Sequence, residues 1–141
     1  MPINALLRAT ALGLACGGRA TVGPATVALT ARPRPRWAAL LGAVVVGELV
    51  ADQLPQAPSR LEPAGLGARV ASGAVSGGLL ARRRSGSVLV AAVLAGAAAA
   101  GGAHAGAVWR AWASVRLGHD APGALVEDVV VLGLAAAAAR G

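Results

Sequence analysis

Apolar residues run through this chain in long blocks, and short stretches rich in arginine or proline separate the blocks. The pattern predicts five helical segments, at about 3–31, 37–54, 63–81, 87–115 and 123–139. Each is long and apolar enough to span a bilayer core as a helix. The first and fourth are longer than a crossing needs. Gly17-Gly18-Arg19 and Gly23-Pro24 interrupt the first, and Gly101-Gly102 lies in the fourth. Interior Gly and Pro are tolerated where neighbours satisfy the freed backbone, so both segments are expected to kink, tilt or break. Pro55 and Pro58 end the second segment, and Pro122 precedes the fifth. The expected fold is all-α: a multi-span transmembrane helical bundle of four to five spans, forming a single domain over 1–141.

Composition sharpens this picture. Hydrophobic residues make up 56% of the chain, charged residues 13%, and the mean hydropathy is +0.65. A soluble domain usually carries about 25% charge. Ala, Gly, Val and Leu supply the apolar mass, with three Trp and no Tyr or Phe. Small residues of this kind suit close helix packing in lipid.

The net charge of +7 would suggest nucleic acid in a soluble protein. Here every basic residue is Arg, and they gather at 32–36 and 82–84, each cluster bracketed by apolar runs. That is the mark of cytoplasmic loops. The expected partner is therefore a lipid bilayer and not nucleic acid. The expected location is the cell (inner) membrane, multi-pass, with loops 32–36 and 82–84 in the cytoplasm. If the first segment crosses once, the start of the chain lies outside. If it is a re-entrant hairpin, the start lies in the cytoplasm.

The ionisable residues inside the segments are the informative ones, because each costs about 2.5–3.5 kcal/mol at a helix centre and needs a partner. Glu48 and Asp52 stand four apart on one face of the second segment. Arg69 lies in the third, Arg110 in the fourth, and Glu127 and Asp128 in the fifth. At about 1.5 Å per residue, Glu48 and Arg69 come out roughly 9 Å deep from one side and Glu127 roughly 6 Å. Arg110 approaches the same layer, while Arg19 and His104 fall nearer the midplane. Of the adjacent pair Glu127-Asp128, one is expected to face the cluster directly.

Two readings follow. The cluster Arg19, Glu48, Asp52, Arg69, Arg110, Glu127 and Asp128 lines a polar cavity for a small solute or ion, as in a transporter or channel. Alternatively its Arg–carboxylate pairs fix helix packing in a non-catalytic structural or assembly protein. Gly73/Gly77, Gly13/Gly17 and Gly102/Gly106 form Gly-x-x-x-Gly pairs. They predict close helix approach, either within the monomer or in a homo-oligomer.

Catalytic chemistry has no visible carrier. There is no Lys for a phosphate loop or Schiff base, no Gly-x-Ser-x-Gly and no His-Glu-x-x-His. Cys16 is the only cysteine, which excludes an internal disulfide and a multi-cysteine zinc site. The protein is therefore expected not to be an enzyme and to need no cofactor or metal.

Four features in order carry a resemblance: Gly18-Arg19 with Pro24; Gly47-Glu48 through Asp52-Gln53-Leu54-Pro55; Arg69 with Gly73 and Gly77; and Glu127-Asp128. Together they resemble the small bacterial membrane proteins grouped as domain-of-unknown-function family 4126. In that family a Lys is usual where Gln53 stands. The resemblance implies an all-helical, multi-span inner-membrane protein and implies no activity.

Overall fold

A computed structural model of the protein describes residues 3–51, 61–84 and 86–140. These residues form six helices: α1 (Ile3–Gly18), α2 (Val22–Thr30), α3 (Pro35–Ala51), α4 (Pro63–Arg83), α5 (Val88–Leu117) and α6 (Ala121–Ala139). The all-α fold is as the sequence predicts. Two of the helices, α5 and α6, are each long and apolar enough to cross a membrane. The remaining predicted spans do not meet that test among the described residues.

The first predicted span is two helices. Leu12 of α1 packs beside Val27 of α2, and Cys16 Sγ lies against Gly23. Contacts that draw together as the numbers converge mean that the two helices run antiparallel. Segment 3–31 is therefore a helical hairpin, with its tip at residues 19–21. The apolar pattern could not separate this from one kinked span, because α1 and α2 are both predominantly apolar. At about 1.5 Å per residue, the nine residues of α2 reach about 14 Å. That is half of a bilayer core of about 30 Å.

The fourth segment behaves differently. Gly101-Gly102 does not interrupt α5, which runs unbroken for 30 residues, about 45 Å. It is closed at its end by Gly118, whose φ of 74° is the left-handed turn that favours glycine.

The core is made of small residues. Ala91, Ala95, Ala99 and Ala103 form one buried stripe on α5. Gly13 and Gly17 of α1 press on the backbone of this stripe from one side, and Gly73 and Gly77 of α4 from the other. A Cβ on Gly73 would stand 2.7 Å from Ala95 O, and one on Gly77 2.5 Å from Ala95 Cβ. A Cβ on Gly102 would stand 2.7 Å from Leu14 O. These glycines are used within the monomer, so an oligomer would have to form through other surfaces. Large apolar side chains point outward instead, among them Leu89, Val93, Val108 and Val115 on α5 and Leu125 and Val129 on α6. The inside is mostly small residues and the outside mostly large apolar ones, with Leu12, Val22, Val27, Leu80 and Val131 the larger apolar residues that are buried.

Both Arg-rich loops fall at one end of the bundle. Arg83 donates to Val27 O and, at 3.0 Å, to Thr30 Oγ1, so the end of α4 is tied to the end of α2. The start of α1 lies there too, with Ala9 against Ala81. So does the end of α6, with Ala138 against Leu12 and Leu80.

α3 is the most peripheral helix. It buries no residue fully and docks mainly on α2.

Candidate functional site

The tip of the α1–α2 hairpin is packed against α3, α4 and α6, with Arg19 buried and Ala20 and Thr21 half-buried, so the backbone groups freed by the turn are largely shielded from solvent. The last carbonyls of α1 and the first N–H groups of α2 are the orphan groups of two helix ends. Leaving one such group buried and unsatisfied costs about 1–3 kcal/mol. Side chains from other helices meet them.

Arg69 of α4 donates to Gly18 O at 2.6 Å and to Gly17 O at 3.2 Å. Glu48 of α3 accepts from Ala20 N at 2.7 Å, from Thr21 N at 2.8 Å, and from Thr21 Oγ1. Ser72 of α4 donates to Ala20 O. The signs agree with the helix dipoles: a guanidinium at the C-terminus of α1 and a carboxylate at the N-terminus of α2. The far end of α2 is held in the same way by Arg83.

Arg19 forms the tip itself and is 1% exposed. Its guanidinium bonds Asp128 Oδ1 of α6 at 2.6 Å. Glu127 is 8% exposed. Its Oε1 lies on the other side of the tip, 3.6 Å from where a Cβ on Gly18 would stand.

The predicted cluster is therefore assembled in part. Arg19, Glu48, Arg69, Glu127 and Asp128 converge on the hairpin tip. Arg19 belongs to the same layer as Glu48 and Arg69, not to a separate depth. Arg110 does not join them. It bonds Asp120 through both carboxylate oxygens, Nε to Oδ1 at 3.0 Å, and so closes the α5–α6 turn. Asp52 lies outside the described residues. His104 is exposed and bonds Ala100 O of its own helix at 2.9 Å.

The sequence reading expects Arg–carboxylate pairs; Arg19–Asp128 is one, while the bonds of Arg69 and Glu48 to helix ends are not anticipated by it. Arg83 was read from the sequence only as a loop charge. Its spacing from Arg69, four turns along α4, puts the two on similar faces and was the available signal.

Two apolar clefts flank this network. One, of about 440 Å³, lies between α1, α5 and α6, and Glu127 stands in its wall with Trp109. The other, of about 530 Å³, lies between α2, α3 and α6 and is lined by aliphatic residues with Thr26 and Thr30. Neither places Arg19 or Arg69 in its wall. Among the described residues, no group of three His, Cys, Asp or Glu side chains is placed to hold a metal. No family model matches the chain, and no curated protein or solved structure matches it.

Proposed function

We propose that the protein is a multi-pass integral membrane protein of the cell membrane, without enzymatic activity, whose intramembrane charges serve a structural purpose. In this reading α3 to α6 cross the bilayer and α1–α2 enters it as a re-entrant hairpin. Loops 32–36 and 82–84 face the cytoplasm by the positive-inside rule. The start of α1 faces the cytoplasm with them.

The distribution of apolar bulk supports the membrane. A water-soluble core would draw Val and Leu inward, whereas here most of them lie on the outside and Ala and Gly make up most of the inside. The Trp residues add to this. Trp37 opens α3 beside Arg36, and Trp109 and Trp112 stack near the end of α5, their ring centroids 5.3 Å apart. Trp is enriched where helices meet the interface. The resemblance to family 4126 fits the same architecture.

One observation carries the structural role: both backbone ends of the hairpin tip are bonded by charged side chains of the protein itself. Where a transporter's broken helix offers its ends to substrate and ions, these ends are already occupied. The charges make irregular backbone tolerable at membrane depth. Such a bundle would act as a scaffold or assembly component. Transport of a small solute is the second reading, and it rests on Glu127 bordering an open cleft.

Cys16 gives the test without any mutation. It is fully buried beside the tip. A membrane-impermeant maleimide should leave it unlabelled in intact and in opened membranes, and should label it after denaturation. Labelling from either face of the native protein would mean an aqueous path to the tip and would favour transport.

A further inference from the structure

The cleft between α2, α3 and α6 runs lengthwise along the bundle. At the depth of the hairpin tip its wall is Val22, Leu49 and Leu132, and at its other end Thr30, Leu41 and Ala139. Along α2 that is about 12 Å, at about 1.5 Å per residue. The wall is apolar apart from Thr26 and Thr30, and the Thr30 hydroxyl already bonds Val27 O at 2.7 Å. In the membrane reading above, such a groove lies parallel to the acyl chains of the cytoplasmic leaflet. It is also where α3, which buries no residue fully, lacks protein to pack on.

The cytoplasmic end of the groove opens among arginines. Arg32 follows the last turn of α2, Arg140 follows α6, and α3 begins between Arg34 and Arg36. All four are exposed. The positive end of the α3 dipole falls at the same level. Among the described residues no Asp or Glu shares this end. Glu48, Glu127 and Asp128 are at the tip, and Glu62 and Asp120 stand at the starts of α4 and α6, at the opposite end. Arg32 also has φ 50°, just after the α2 C-cap, the left-handed conformation that glycine adopts most readily. Its guanidinium is thus placed at the mouth against the preference of the backbone.

These features choose one occupant. A free aqueous anion would be drawn to the arginines but would gain nothing from the apolar wall. A neutral lipid would fill the wall and leave the arginines unused. A phospholipid of net negative charge matches both. Guanidinium groups bind phosphate oxygens in pairs, and basic pockets between helices at the cytoplasmic face suit such headgroups. We propose that this groove holds one anionic phospholipid, with an acyl chain between α2, α3 and α6 and its phosphate on Arg32 and Arg140. The proposal rests on the membrane reading, and the two fail differently. Release by alkaline carbonate would end that reading; a membrane-bound protein without headgroup preference would end this one.

The test is native mass spectrometry of the full chain, released from detergent micelles that carry equal amounts of dioleoyl phosphatidylglycerol and dioleoyl phosphatidylcholine. Retention of one phosphatidylglycerol per chain is expected, preferred by about tenfold or more, which corresponds to about 1.4 kcal/mol. Gly42 stands in the groove wall with open space where its Cβ would be. Gly42→Leu should therefore fill the groove and end retention while every arginine remains. The double variant Arg32→Gly, Arg140→Gln should lower the preference by about fivefold or more. Because Arg32→Gly relieves the left-handed backbone, its effect does not come from misfolding. Equal retention of the two lipids by the unsubstituted protein would overturn the proposal. So would an unchanged preference in the double variant, or phosphatidylglycerol retained by Gly42→Leu as before, which would place binding on the exposed loops and not in the groove.

Discussion

Glu48 shows how much one side chain can decide. Its carboxylate accepts two backbone N–H groups and one hydroxyl at the start of α2. Glu48→Ala leaves both amides without their acceptor, and at about 1–3 kcal/mol for each it should destabilise the protein by about 2–6 kcal/mol. Denaturant unfolding in detergent would measure this, with Glu48→Gln falling between the two. The Arg19–Asp128 pair is buried on the Arg side and joins different helices. A double-mutant cycle with Arg19→Gln and Asp128→Asn should return a coupling of about 0.5–3 kcal/mol; additive losses would mean that the two do not act together. The sequence made these residues stand out, since charges in apolar runs are easily seen. It did not reveal their partners. A carboxylate's preference for a guanidinium is visible in residue types, whereas a helix end becomes a partner only once the chain has turned at residues 19–21.

Elements in this molecule are positioned by what their glycines permit. Gly17 lies on the backbone of α5, where a Cβ would stand 2.6 Å from Ala103 N. Gly17→Ala should force α1 away from α5 and cost about 1–3 kcal/mol. Gly101 of the same helix α5 meets nothing within 4 Å. Gly101→Ala should therefore be neutral or stabilising by about 0.4–1 kcal/mol. A thermal-shift comparison of the two variants checks the claim, and equal effects would contradict it. From the sequence, Gly13/Gly17, Gly73/Gly77 and Gly102/Gly106 are equivalent motifs, and Gly101 is one more glycine among 20. Only the packing of α5 between α1 and α4 separates those that are needed from those that are not. The hairpin was legible as a break at Gly17-Gly18-Arg19 and Gly23-Pro24. Whether the chain continues or reverses after such a break depends on contacts with α4 and α6, which lie far along the sequence.

For the whole molecule, the hairpin changes the parity of the fold. With α1–α2 folded back as a hairpin, the start of α1, loop 32–36, loop 82–84 and the end of α6 all lie at one end of the bundle. Arg residues mark that end in both loops and at Arg140. The sequence alone put the two loops on one side and could not place the start of α1, because the charge rule counts crossings and the first segment's crossing was the open question. The large apolar exterior also predicts that alkaline carbonate washing leaves the protein in the membrane pellet; release into the supernatant would overturn the membrane reading. The most direct measurement of the account as a whole is the sidedness of α1. A protease-cleavable tag placed before Ile3 and a second tag in loop 32–36, compared in sealed right-side-out and inverted vesicles, report the two positions together. The account predicts that both tags are cut only in inverted vesicles. Cleavage of the tag before Ile3 in right-side-out vesicles, with the loop tag protected, would mean that the first segment crosses once and would contradict the hairpin.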